Sequence, residues 1–470
     1  MPRLALCGAL ALAATTALVR PAFAQAAAPA PAPLSVETLA APAAAKEATA
    51  AKTDDGALTW KGITLYGTFD IGVAHLEHGA KLTQFYGPGL PFLIQKNAGA
   101  AITSISPNGL AQSKLGVSGV ETLTSDVNFV FKLETGFQPT SLHLADGPRS
   151  IIADNGVPLQ NQTTNGDSSR AGQLFQGAAY LGVASKTFGT LTYGLQTSLI
   201  QDNFGKYDPQ AGSQAFSVIG YSGFAAGGGA TETSRFDNSV KYVITKGPAR
   251  FGYLHNFAGG NDFPGEADQL NVGGDYKGLS VDLTWSHVQD AVSVSSLTAA
   301  QNAQHPGTLA GTVSDDTAWA AEARYQWGKA KIYGGVEAIE FANPKHPLPA
   351  SFRGIGGYIV DFVNNAAYTI HRKETVSWTG VRYAVTNKFD VTGAYYRYDQ
   401  NSFKGNGCAD ESASSCSGQL WAYSLVGDYH LTKRFDVYAG ANHAAVADGL
   451  ASGFLNKHST DPVAGVRFTF

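Results

Sequence analysis

Charged side chains recur at every second position along several stretches of this chain: Lys132 and Glu134; Arg235, Asp237 and Lys241; Glu322 and Arg324. On an extended strand that spacing puts them on one face. A wall of such residues holds water and sorts solutes by charge; it makes and breaks no bond. The arrangements that do covalent chemistry are missing. There is no Gly-x-Ser-x-Gly elbow, no His-Glu-x-x-His pair and no phosphate-binding Gly-rich loop with its Lys. Gly227, Gly228 and Gly229 lie in a polar loop with no Lys behind them, and the eleven His are scattered. The sequence therefore predicts no catalytic residue, no metal ligands and no cofactor. Cys408 and Cys416 stand in a polar, Gly- and Ser-rich stretch with seven residues between them. In an oxidising compartment such a pair reads as a loop disulfide.

The elements that must carry these charges are strands. Ile63, Leu65, Phe69, Ile71 and Val73 alternate with Thr64, Tyr66, Thr68 and Asp70. Val127, Phe129, Phe131 and Leu133 alternate with Asn128, Lys132 and Glu134. Phe236, Val240, Tyr242 and Ile244 alternate with Arg235, Asp237, Ser239 and Lys241, and Trp319 to Trp327 alternates with Glu322, Arg324 and Gln326. Each is a strand with one apolar and one polar side. From Trp378 to Val385 the apolar set changes face near Thr379.

Composition narrows what such strands can build. Of 470 residues, 15% are charged, against roughly 25% in ordinary soluble domains. Mean hydropathy is only -0.09, and past the N-terminus no run approaches the ~18 apolar residues of a membrane helix. A hydrophobic fraction of 44% with 11% aromatic residues excludes a disordered chain. A formal charge of -4 without a basic tract argues against nucleic acid as partner.

Residues 1–24 read as a cleaved signal peptide, with Arg3, an apolar stretch from Leu4 to Val19 and Ala-Phe-Ala ending at Ala24. Its removal takes away two arginines and no acid, moving the charge from -4 to -6. Residues 25–59, rich in Ala and Pro, lack the large apolar side chains a core needs and read as a periplasmic spacer. Residues 60–470 carry the strands.

Connection lengths then separate a soluble sandwich from a membrane barrel. Short turns fall at Thr124-Ser125, Ser185–Phe188, Gly247-Pro248, Lys277-Gly278, Gly328-Lys329, Thr386–Lys388 and Thr432–Arg434. Longer polar loops fall at about 77–111, 139–173, 200–234, 259–266, 290–316, 341–372, 400–418 and 446–462. Seven short turns alternating with eight long loops give sixteen strands, with short periplasmic turns and long extracellular loops, the asymmetry of an outer-membrane barrel. In lipid every backbone polar group must be paired, so the antiparallel sheet must close. Sixteen strands close around a lumen too wide for side chains to fill. Trp60, Tyr66, Tyr276, Trp285, Trp327 and Tyr429, near strand ends, suit interfacial girdles. The chain ends on Ala464, Val466, Phe468 and Phe470 alternating with Gly465, Arg467 and Thr469. That last strand is positioned to pair with Ile63–Val73.

Several strings resemble one family. SKLGVSGVETL (Ser113–Leu123), FKLETGFQ (Phe131–Gln138), AAYLGVASKTFGTLTYGLQ (Ala178–Gln196), RFDNSVKY (Arg235–Tyr242), YHLTKRFDVYAGAN (Tyr429–Asn442) and GVRFTF (Gly465–Phe470) are similar to strands of the general, trimeric, sixteen-stranded porins of Gram-negative outer membranes. The resemblance implies outer-membrane lipid surroundings, a homotrimer, and a third loop folded into the pore, here Leu199 to Ser234. That loop carries Asp202, Asp208 and Glu232; Lys114 and Arg235 match basic wall positions opposite. Acid facing base sets a transverse field across the neck. Gly177 and Leu195 stand where the family often has Arg. Asp70, Lys132, Glu134, Asp237, Lys241, Glu322 and Arg324 are expected to line the pore, nearly balanced in sign. The implied function is passive diffusion of ions and small hydrophilic solutes. The alternatives are a substrate-selective channel, for instance for sugars, with a lumen ladder from Tyr66, Tyr333 and Tyr396, and a non-conducting adhesin barrel.

Overall fold

The computed structural model describes residues 51–52, 58–85, 94–166, 170–219, 234–260, 264–404, 408 and 413–470. The signal segment, residues 25–50 of the spacer, Gly227–Gly229 and Glu232 lie outside the described residues. The short strand Leu58–Trp60 pairs antiparallel with Ile63–Leu65.

Sixteen antiparallel strands form one closed barrel. In order they are Ile63–Gly79; a second strand in two pieces, Ala100–Pro107 and Lys114–Thr122; Val127–Gly136; Ala178–Ser185; Gly189–Thr197; Arg235–Lys246; Ala249–Asn256; Ala267–Tyr276; Leu279–Ser295; Leu309–Trp327; Ala330–Ala342; Arg372–Thr386; Phe389–Gln400; Gly418–His430; Phe435–Asp448; and His458–Thr469. The last pairs with the first, from Thr68 opposite Thr469 to Ala74 opposite Val463. Phe470 extends this seam, exchanging backbone hydrogen bonds with Gly67. A Cβ at Gly67 would lie 2.6 Å from the Phe470 ring, so only glycine leaves room for the terminal aromatic.

Alternation drives the two faces as the sequence predicts. Ile63, Leu65, Phe69, Val73, Trp319, Tyr325 and Trp327 are exposed on the outside, where lipid rather than water receives them. All seven short turns are present. The two-residue turns at Lys277-Gly278 and 247–248 use left-handed backbone at Lys277, Gly278 and Gly247, the twist that tight hairpins require.

The structure corrects the sequence reading at four places and bears it out near Thr379. Ala100–Pro107 lies inside the expected loop 77–111, because it is a strand piece separated from Lys114–Thr122 by an inward break. The ninth and tenth strands run on beyond the barrel wall, so the expected loop 290–316 shortens to 296–308. Phe236 is fully buried inside, beside Leu199, Leu254 and Val288, instead of facing lipid. Left-handed Asn238 and a register shift opposite residue 195 reset the alternation there. Trp378 points inward and Val381, Tyr383 and Val385 outward, which resolves the change of face near Thr379. Tyr66 is no girdle residue; its hydroxyl donates to Glu134 inside the barrel at 3.0 Å.

Above the strands the loops pack on one another. The 137–177 loop contains a helix, Gly147–Ala153, capped by the Asp146 side chain. It reaches across to the extended ninth and tenth strands, where Ile151 is buried with Val292, Val294, Leu309, Ile355 and Val360. Ser296 donates to the Ile151 carbonyl, Asn155 to that of Thr308 and the Tyr358 hydroxyl to Asp146. Burial pushes the Asp146 carboxyl above its ordinary value, against the hydrogen bond from Tyr358. Cys408 and Cys416 form a disulfide, their Cα atoms 5.5 Å apart.

Candidate pore constriction

The third loop enters the barrel as a helix, Leu199–Tyr207. The Ser198 hydroxyl accepts the Gln201 N–H at its start, satisfying one of the orphan donors of the first turn. Asp202 in the first turn and Lys206 in the last match the helix dipole. Leu199, Ile200, Asn203, Phe204 and Tyr207 are buried, the stripe one helical face presents to a wall. Phe204 meets Trp378 edge to face at 5.4 Å. Asn203 donates to Thr284, Lys206 to Asp282, and the Leu199 N–H to Gln269, at 2.7–2.8 Å. The Tyr207 hydroxyl also donates to Asp282, which Arg250 reaches at 2.9 Å.

Past the helix the loop keeps to the wall. Trp378 donates to the Tyr207 carbonyl at 3.2 Å, Gln210 to Ser424 at 3.0 Å, and Tyr398 to the Val218 carbonyl at 3.0 Å. Ser213 and the Ala215 N–H both reach the Gly109 carbonyl. The described part of the loop thus runs along the inner faces of the strands from the eighth round to the second. It covers apolar inward residues, among them Ile339, Val376, Ala394, Tyr396 and Ala422.

This placement divides the expected site residues. Asp208 is 1% exposed; it accepts from the Tyr396 hydroxyl at 2.6 Å and from the Gln210 and Gly212 N–H groups. It anchors the loop and does not face the lumen. Tyr396 is sealed under the loop and Tyr333 is buried, so the three expected tyrosines form no open ladder. Asp202 stays half-exposed beside Lys241 and Thr197. Across from the loop, Glu134 sits between Lys114 at 3.2 Å and Lys132 at 3.4 Å. Arg235 donates to the Gly177 carbonyl at 2.7 Å and to Ser234 at 2.8 Å. Lys114, Lys132 and Glu134 come together, with Arg235 bonded to Gly177, whose N–H in turn donates to the Glu134 carbonyl.

Three expected pore-lining acids are largely withdrawn from water: Glu134, buried between its two lysines, and Asp70 and Glu322. Asp70 is fully buried: its carboxylate accepts the N–H groups of Gly109, Leu110 and Ala111 and the Tyr438 hydroxyl. It holds the break in the second strand. Glu322, opposite Asp282 in the ladder, is 4% exposed. Asp237 sits beside the Asn238 irregularity, its backbone carbonyl accepting from Asn256. The Arg324 guanidinium lies over the Tyr207 ring at 6.0 Å.

The sequence reading missed a charged belt near the periplasmic turns. Arg382 clasps Asp390, Arg467 clasps Asp436, and His430 touches both acids. Each lies on the polar side of its strand, so alternation carried the signal; the pairing across strands did not show.

A Gram-negative porin family profile matches residues 13–448. An outer membrane porin protein of Bordetella pertussis is 26% identical over 210 residues, a stretch that spans 44% of this chain and 45% of that relative. An anion-selective porin from Comamonas acidovorans has a similar fold, with a TM-score of 0.56 and 17% identity over 87% of this chain and 99% of its own. The trimer form of OmpT from Vibrio cholerae gives a TM-score of 0.54 at 15% identity, covering 87% and 99% of the two chains.

Proposed function

The chain belongs to the Gram-negative porin family, and from that premise we propose that it is an outer-membrane channel through which ions and small hydrophilic solutes diffuse passively, with no chemical step. The observation that carries this reading is the one-sided lumen. The loop seals one arc of the wall with apolar contacts, while the opposite arc keeps charged side chains in water: Lys114 is 37% and Lys132 32% exposed. Their partner Glu134 is only 8% exposed. Among the described residues the neck opens two lysines to water against one carboxylate, Asp202 of the loop, itself 43% exposed and paired with Lys241, a balance that favours a modest preference for anions. Assembly as a homotrimer, the form in which the Vibrio cholerae relative was solved, is part of the same proposal.

Planar-bilayer recordings in a salt gradient test it. Asp202→Asn is expected to move the reversal potential further toward anions, and Lys114→Glu with Lys132→Glu toward cations. Asp208→Asn is expected to leave selectivity unchanged, since that carboxylate is buried. A detergent-purified protein that conducts nothing would overturn the channel. A selectivity shift in Asp208→Asn matching that of Asp202→Asn would overturn the assignment of the neck.

A further inference from the structure

We propose that Glu77, His78 and His458 form a divalent transition-metal site of the zinc type that clamps the extracellular end of the barrel seam. Glu77 and His78 end the first strand and His458 begins the last. Their candidate ligand atoms all lie within 4.8 Å of one another. The two imidazoles meet edge to face at 5.2 Å, and His458 Nδ1 stands 3.8 Å from Glu77 Oε2. Two imidazole nitrogens and a carboxylate oxygen form a ligand set that suits zinc, with a fourth position left for water.

The surroundings prepare these ligands as metal sites do. His78 Nδ1 lies 2.8 Å from the His458 backbone carbonyl. A carbonyl can only accept, so Nδ1 carries the proton and the Nε2 lone pair is free for a metal. The Glu77 carboxylate is oriented by the Thr460 N–H at 2.9 Å, and its own N–H donates to Asp461. Among the described residues no lysine or arginine pairs with Glu77, and His458 is 55% exposed, open to ions from outside. The second acid–histidine group, Asp428, His430 and Asp436, differs on this point: Arg467 already occupies it. Glu77 and His458 come from opposite ends of the strand series, so only closure of the barrel creates the site.

The test uses the detergent-purified, refolded full-length barrel, stripped with chelator and titrated calorimetrically with ZnCl2 alone. One zinc per chain is expected, with CaCl2 giving no comparable heat because calcium prefers all-oxygen sites. His78→Ala and His458→Ala should each weaken zinc binding by about tenfold or more. Zinc should raise the temperature at which the barrel loses its folded mobility on a gel, and not do so in either variant. Both side chains lie at the rim, and unchanged conductance certifies that the variants have folded. No stoichiometric zinc on the parent protein, or undiminished binding in both variants, overturns the site. Zinc bound with no rise in unfolding temperature overturns the clamp.

Discussion

A Trp378→Ala channel is expected to conduct more than the parent and to fluctuate between levels while its strands stay folded. The indole is the large apolar part of the wall's grip on the loop: it is 3% exposed, packs on Phe204 and donates to the Tyr207 carbonyl. A Cβ at Gly335 would fall 2.2 Å from the indole, so the neighbouring strand leaves space for this one side chain. Truncating a buried tryptophan costs about 3–5 kcal/mol. The strand ladder around residue 378 keeps its backbone hydrogen bonds, so that cost falls on the seating of the loop. Freed from the wall, the Leu199–Tyr207 helix can move into and out of the stream. Single-channel recordings read both conductance and noise; a variant with parental levels and parental noise would show that the loop is held elsewhere. Trp378→Phe, which keeps most of the apolar contact but loses the hydrogen bond, should fall between the two.

The second large effect is expected at Asp70. Its Oδ1 serves the Gly109 N–H and the Tyr438 hydroxyl, its Oδ2 the N–H groups of Leu110 and Ala111. An asparagine can accept from one pair only, because its amide nitrogen turns donors toward the other. With its amide nitrogen toward Gly109 and Tyr438, Asp70→Asn can donate to the Tyr438 hydroxyl, which also accepts, but it leaves the buried Gly109 N–H without an acceptor, at about 1–3 kcal/mol, and replaces a charged acceptor by a neutral one. Tyr438→Phe removes one hydrogen bond and leaves the carboxylate three others, so it should cost about 1 kcal/mol. Urea unfolding from lipid vesicles, followed by tryptophan emission, gives the ranking. Equal midpoints for Asp70→Asn and Tyr438→Phe would refute the claim that the carboxylate holds the strand break.

The two variants probe features of different legibility. Strand number, the short turns and the outward face of Trp319 to Trp327 were readable because a period of two and alternating connection lengths are local signals. Lys114 and Lys132 were readable as inward residues for the same reason. What alternation could not supply is cover. Asp70, Asp208 and Glu322 are polar residues on or near the lumen, and a polar residue reads the same whether it meets water or a hydrogen-bonding loop. The tertiary path of residues 198–219 decides it for Asp208 and Glu322, and the break between Pro107 and Lys114 decides it for Asp70. Phe236 failed for another reason: a single left-handed residue, Asn238, shifts the parity of everything before it. The helix Leu199–Tyr207 is short and its burial stripe is satisfied by another part of the chain, so no local period announced it.

The pairing of Thr68 with Thr469 has a bearing on how such a chain reaches its finished form. Nearly all the described residues lie between the two partners, so this contact belongs to the slowest class of encounters a polypeptide makes. Until it forms, the first and last strands each offer a row of unpaired backbone groups, ready to capture a neighbouring chain. In hydrocarbon each such group is penalised by several kcal/mol. A partly built sheet therefore cannot wait in the bilayer for its C-terminus to arrive. Synthesis must finish, and the two edges must be shielded, before insertion goes to completion; loss of the final dozen residues should yield aggregates instead of a smaller pore.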